Sequence, residues 1–347
     1  MIEAIGEGPA VVLIGVASGI CLGLAARLGR FCTLGAIEDV VYARDGKRAR
    51  MWLAALGTAI ALTFLLMSAG RLDPASVFYL TTAWSPAASI LGGLTFGYGM
   101  ALAGNCGFGA LARLGGGDLR SLVIVLVMAI ATYVTIAGPL APLRVMLFPE
   151  VQTDRIQGIA HGLGGATGIS PTAIGLTVAF ICLAVAAYGA GRWTVFGWGA
   201  LAGVAVAGAW AGTAWVAETG FEAIAPQSHS FARPLGETLL WLMSSTGREA
   251  GFGVGSVTGV LIGALMGSLI KGHFRWEACD DPRELRRQMA GAALMGVGAV
   301  VALGCSIGQG LSAFSVLAIS APVTVVSIIL GASVGLRQLV EGFAFIR

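Results

Sequence analysis

The chain has 347 residues, of which 56% are hydrophobic and 11% charged, with a mean hydropathy of +0.85 and a formal net charge of +3. Charged residues make up about a quarter of ordinary soluble domains, so this composition excludes a water-soluble protein and points to the lipid bilayer as its surroundings. The small net charge, with basic residues confined to short loops rather than gathered on a folded face, excludes nucleic acid as a partner.

Nine apolar stretches follow one another, at 11–28, 52–69, 87–103, 122–140, 173–189, 195–216, 254–270, 289–303 and 314–334. A helix needs about 20 residues to cross the hydrocarbon, so most of these suffice. The third and eighth are short, as expected of helices that stop partway and turn in re-entrant loops. Continuous Gly, Ala and Leu rather than strict alternation favours helices over a barrel. The expectation is an all-α integral membrane protein of about nine transmembrane helices, with 1–347 forming a single polytopic domain. The first stretch reads as a retained helix and not a signal peptide, because acidic residues precede it, Arg27 and Arg30 follow, and eight further spans come after. With the N-terminus outside, 16 of the 21 Lys and Arg residues fall inside, Arg192 and Arg347 among them. That asymmetry predicts a bacterial inner membrane protein with a periplasmic N-terminus and a cytoplasmic C-terminus.

Two patterns occur twice. Gly15, Gly19, Gly23 and Arg27 return 244 residues later as Gly259, Gly263, Gly267 and Lys271. Spacing of four keeps such glycines on one helix face, where backbones can approach closely. The second pair is AGNCGFGAL around Cys106 and LGCSIGQGL around Cys305, offset by 199. Together they predict internal repeats over about 9–140 and 250–340, connected by 141–249, an organisation common in transporters with substrate at the repeat interface.

Three of the six cysteines share the pattern C-x-x-G: Cys32 with Gly35, Cys106 with Gly109, and Cys305 with Gly308. Each stands where an apolar helix ends. Around Cys106 the break is widest, with six glycines between Gly104 and Gly117. Irregular backbone at membrane depth is tolerated only when buried in protein or lining a wet cavity. A broken helix presents free N–H groups and the positive end of its dipole, which replace part of an anion's hydration shell. A neutral thiol adds a weak donor on a polarizable sulfur, suited to a soft sulfur-bearing ligand. Gly107 belongs to the same break, and Asn105 and Gln309 flank the loops as amide donors to an oxyanion or as partners for loose backbone carbonyls. Simple apolar packing is the competing reading for each cysteine, and the one adopted for Cys21, Cys182 and Cys279.

Other polar residues have blander readings. Arg113 and Arg120 fit the inside-positive bias, Glu38 and Asp39 fit loop solvation, and Ser228–Leu242 reads as an outer lid or packing hairpin in which Arg233 collects anions. No metal site is expected, since no Cys-x-x-Cys pair exists and His161, His229 and His273 are dispersed. No cofactor is expected either, and the absence of G-x-x-x-x-G-K-[ST] excludes nucleotide hydrolysis through a P-loop.

The motifs GRFCTLGAIED at 29–39, AGNCGFGALARLGGGDLRSL at 103–122 and GCSIGQGLSA at 304–313, in that order, resemble the YeeE/YedE family of sulfur-compound transporters. The resemblance spans nearly the whole chain. It implies an hourglass-shaped bundle that takes up thiosulfate, with its functional cysteines at Cys32, Cys106 and Cys305. It also implies a handover of the ion between thiols and a small TusA-like sulfurtransferase receiving sulfur in the cytoplasm. The leading expectation is therefore a transporter, not an enzyme, with Cys106 nearer one mouth and Cys32 and Cys305 further along. Two alternatives stay open: a membrane-embedded thiol enzyme that cleaves thiosulfate to a persulfide, and a channel for another small solute such as a selenium compound. Bundles of this kind commonly form homo-oligomers, and the sequence marks no interface.

Overall fold

A computed structural model describes residues 6–188, 193–221, 224–278 and 281–342. Cys279, Arg192 and Arg347 lie outside the described residues. The elements in order are α1 (Glu7–Leu28), α2 (Thr33–Glu38) running into a π-helical turn (Asp39–Ala43), α3 (Lys47–Ser68), α4 (Phe78–Thr81), α5 (Pro86–Ala103), α6 (Gly107–Leu114) and α7 (Leu119–Ile136). There follow α8 (Ala141–Leu147), α9 (Ile159–Thr167), α10 (Pro171–Tyr188), α11 (Trp193–Thr219), α12 (Arg233–Ser244), α13 (Phe252–Ile270), α14 (Pro282–Val301), a second π-helical segment (Gly308–Ala313) and α15 (Ser320–Glu341). Among the described residues the only β pairing is isolated bridges. The chain is an all-α integral membrane protein.

Eight helical stretches, not nine, are long and apolar enough to cross a bilayer among the described residues. The expected span at 289–303 corresponds to α14, whose opening turns carry Arg283, Glu284, Arg286 and Arg287. Its apolar remainder is too short to qualify alone. It packs inside the bundle against α5 and α7 instead, with Met295 fully buried. The short third stretch is α5, which stops at Gly104 (φ +75°) and resumes as α6 after three residues.

Close helix approach follows from the glycine rows. A Cβ on Gly15 would stand 2.6 Å from the carbonyl oxygen of Phe252, and one on Gly19 would stand 2.6 Å from that of Ser256. Gly15, Gly19 and Gly23 thus meet 252–264 in ascending order, so α1 and α13 run parallel with backbones in contact. In the bilayer such packing replaces the hydrophobic effect as the force joining helices. Conversely, Gly92 faces Gly298 and Ala302 while Gly99 faces Gly291 and Met295, which makes α5 and α14 antiparallel. One rotation therefore cannot carry α1 onto α13 and α5 onto α14, although the sequence pairs both.

Helix α7 is started by Asp118, whose carboxylate accepts from the Arg120 N–H at 3.0 Å and from the Ser121 hydroxyl at 3.1 Å. Removing such a cap costs about 1 kcal/mol. Asp118→Ala should therefore lower the midpoint of thermal unfolding in detergent, and an unchanged midpoint would show that the cap is dispensable.

Candidate functional site

The three C-x-x-G loops share one backbone geometry. Two residues before each cysteine the chain takes a left-handed conformation, at Arg30 (φ +60°), Gly104 (φ +75°) and Leu303 (φ +55°). Non-glycine residues rarely adopt it, so Arg30 and Leu303 hold backbone strain of the kind that concentrates at functional sites. The cysteine then caps the next helical turn. Its sulfur accepts the N–H of the glycine three residues on, at 3.5 Å for Gly35, 3.4 Å for Gly109 and 3.4 Å for Gly308. Its carbonyl accepts from the residue after that, at Ala36, Ala110 and Gln309. The shared spacing is thus a sulfur N-cap, with the lone pair held by backbone and the S–H left to donate elsewhere. Glycine is needed at 308 for room, since a Cβ there would stand 2.8 Å from Ser230 Oγ and 3.2 Å from Tyr79 Oη.

These loops bring the three sulfurs together. The Cys106 thiol, 1% exposed, sits beside the Ser306 hydroxyl and within electrostatic reach of both Cys32 and Cys305. Cys106 is thus buried, within reach of both other thiols. Cys305 also receives the Phe231 N–H at 3.2 Å and lies 3.8 Å from Ser230 Oγ. Phe31 stacks on Trp52 at 4.6 Å, and Phe108 lies between Phe31 and Phe231, at 6.4 and 5.2 Å. A row of aromatic rings thus runs alongside the three loops, from Trp52 through Phe31 and Phe108 to Phe231.

Two cavities approach this centre from opposite ends of the bundle. One, of about 440 Å³, reaches Cys32, Gly35, Asn105 and Gly109, and is lined by Arg27, Arg30, Arg48, Arg113 and Lys271 against the single carboxylate of Glu38. Burial, followed by the neighbouring charges of Arg30 and Arg27, pushes the Lys271 ammonium below its usual pKa. The other, of about 30 Å³, lies between Tyr79, Trp84, Ser89, Leu303, Gln309 and Ser320. Tyr79 is within electrostatic reach of Cys305.

The flanking amides separate. Gln309 is occupied by backbone: its Nε2 donates to the Ala302 and Leu303 carbonyls at 2.9 and 3.2 Å, and Ser320 Oγ donates to its Oε1 at 3.3 Å. Asn105 is 1% exposed, lines the large cavity, and leaves Oδ1 without a hydrogen bond. Gly107 leaves room for the backbone at Phe231, since a Cβ would stand 2.7 Å from the Phe231 carbonyl oxygen. Arg113 faces the large cavity, whereas Arg120 pairs with Asp118 and Glu277, and Asp39 with Arg48 at 3.1 Å. Arg233 is 72% exposed and paired with Glu237.

The segment at 228–242 is neither a simple lid nor a hairpin. Residues 228–232 dip to the centre, where His229 is fully buried with Nδ1 2.7 Å from Ser256 Oγ and Ser312 Oγ donates to the His229 carbonyl at 2.6 Å. Helix α12 then packs on α7 and α13. Sequence reasoning missed Tyr79, Ser230, Phe231 and Ser306. Only Ser306 carried a signal, its place directly after Cys305. The five described cysteines are free thiols, and among the described residues no group of three His, Cys, Asp or Glu could hold a metal ion.

A family-wide profile described as sulphur transport matches residues 28–334. The thiosulfate transporter TsuA of Spirochaeta thermophila is 26% identical over 336 residues, covering 92% of this chain and 97% of that one. The thiosulfate transporter TsuA of Escherichia coli K12 is 26% identical over 337 residues, covering 87% of each.

Proposed function

This chain belongs to the sulphur transport family, and we propose that it takes up thiosulfate across the bacterial inner membrane through a central path lined by Cys305, Cys106 and Cys32. The observation that carries this reading is the convergence of three capped thiols between two opposed cavities. The name printed for both relatives supplies the ligand. With the basic end of the bundle placed in the cytoplasm, the small cavity is the entrance and the large one the exit.

The chemistry follows from the caps. Each sulfur already accepts a backbone N–H, so its S–H is free to donate to the terminal sulfur of the dianion while the first N–H groups of α2 and α6 supply positive potential. The thiols act as neutral donors, because a thiolate would repel the ion. The three C-x-x-G loops thus form a short relay, with Tyr79 and Ser230 on the entrance side and Asn105 on the exit side. Moving two negative charges inward against 100 mV costs about 4 to 5 kcal/mol, at about 2.3 per charge. Uptake is therefore drawn by consumption inside, for which a TusA-like sulfurtransferase is the expected agent, or by proton co-entry.

Proteoliposomes given thiosulfate labelled separately on its two sulfur atoms test the reading. Both labels should appear inside in equal amounts. Entry of only the outer sulfur would reject transport in favour of cleavage to a persulfide.

A further inference from the structure

The transport reading uses the large cavity only as an exit, yet its lining is more ordered than an exit requires. Five cations and one carboxylate line it, and with Arg48 paired to Asp39 at 3.1 Å an excess of three positive charges remains. Basic residues that merely obey an inside-positive bias need not be tied to one another, whereas here two of them, Arg27 and Lys271, are held side by side. Arg27 donates from Nε to Ser268 Oγ at 2.7 Å, and Ser268 is itself 1% exposed. Lys271 donates to the Arg27 and Leu28 carbonyls at 3.0 and 2.9 Å, which fixes its ammonium beside Arg27. Gathering like charges this way costs free energy unless an anion occupies the space between them. The Asn105 amide is buried against the same cavity with its oxygen unpartnered. Turned end for end, that amide would offer N–H to an anion.

We propose that this cavity is a second anion site that binds small divalent oxyanions through Arg27, Arg30, Arg113, Lys271 and Asn105, and that it accepts sulfate as readily as thiosulfate. The site rests on the reading of this end of the bundle as the exit of a thiosulfate path. The two ions share charge and tetrahedral shape and differ in one atom, sulfur for oxygen. Guanidinium, ammonium and amide donors recognise charge and oxygen geometry, and only the thiols respond to a soft sulfur atom. Discrimination between the ions therefore belongs to the cysteine layer, and sulfate on the exit side holds the cavity against the departing substrate. Cytosolic sulfate becomes a brake on uptake.

Equilibrium dialysis of radiolabelled sulfate against the protein in nanodiscs, with both faces accessible, tests this. Wild type should bind one sulfate saturably, Cys106→Ala should bind it with unchanged affinity, and Arg113→Gln with Lys271→Gln should bind it at least tenfold more weakly. Arg113→Lys should retain most of the affinity. Should the double variant unfold in a thermal scan, each single variant, expected to lose about threefold, decides instead. No saturable binding, as expected if the charges serve only an acidic protein, would overturn the proposal, as would equal affinity in the neutralised variants. Failure of the transport reading is read separately, as absence of labelled thiosulfate entry in wild-type proteoliposomes.

Discussion

Replacing Cys106 with alanine is expected to abolish growth on thiosulfate as sole sulfur source in a strain where this protein is the only importer, while growth on sulfate persists. The buried Cys106 thiol is within reach of both other thiols, so in the proposed relay its loss breaks the handover on either side. A hydrogen bond to a charged partner contributes about 1.5–3 kcal/mol, so initial uptake should fall about 10- to 100-fold. Cys106→Ser separates the two roles of this residue. A serine oxygen caps the Gly109 N–H at least as well as sulfur does, so the variant should fold normally. Its hard, strongly hydrated hydroxyl is a poor match for the terminal sulfur of the ion, and uptake should remain low. Full activity in Cys106→Ser would show that the cysteine is a cap and nothing more.

Gly19→Val should prevent accumulation of folded protein. The added Cβ would stand 2.6 Å from the Ser256 carbonyl oxygen and 3.1 Å from Gly259 Cα, both backbone, so neither neighbour can rotate away. Helices α1 and α13 would have to separate along their full contact, and overpacking of this kind costs about 1–3 kcal/mol or more. The control is Gly162→Ala in α9, where a Cβ meets nothing within 4 Å. Yield and gel-filtration profile should collapse for the first and stay unchanged for the second. Normal behaviour of Gly19→Val would mean that the two helices are not held by backbone contact.

Much of this architecture is legible in the residues, and the reasons for the exceptions are physical. Hydropathy reveals helices that meet lipid but misjudges α14, whose opening turns are charged and exposed while its apolar remainder packs against α5 and α7. The glycine row of α1 and α13 is visible because spacing of four survives in sequence. The opposite sense of the α5 and α14 contact is not, since spacing carries no direction. The shared C-x-x-G spacing marks three cysteines out from the others, and the structure supplies its cause in the sulfur caps. Gln309 and Asn105 looked equivalent as flanking amides, yet one is tied to carbonyls freed by the strained turn at Leu303 and the other opens on a cavity. Phe231 and Ser230 were invisible because a strap from a distant loop brings them to Cys305, and no local pattern encodes contact across 74 residues.

The claim on which these expectations depend is that Cys32, Cys106 and Cys305 share one conduction path. It is tested most directly in a variant that lacks Cys21, Cys182 and Cys279, reconstituted in proteoliposomes and exposed to a small anionic thiosulfonate reagent. Thiosulfate flux should be lost in step with modification of Cys32, the thiol that lines the large cavity, and added thiosulfate should slow both. Undiminished flux after complete modification, verified by mass, would contradict the account.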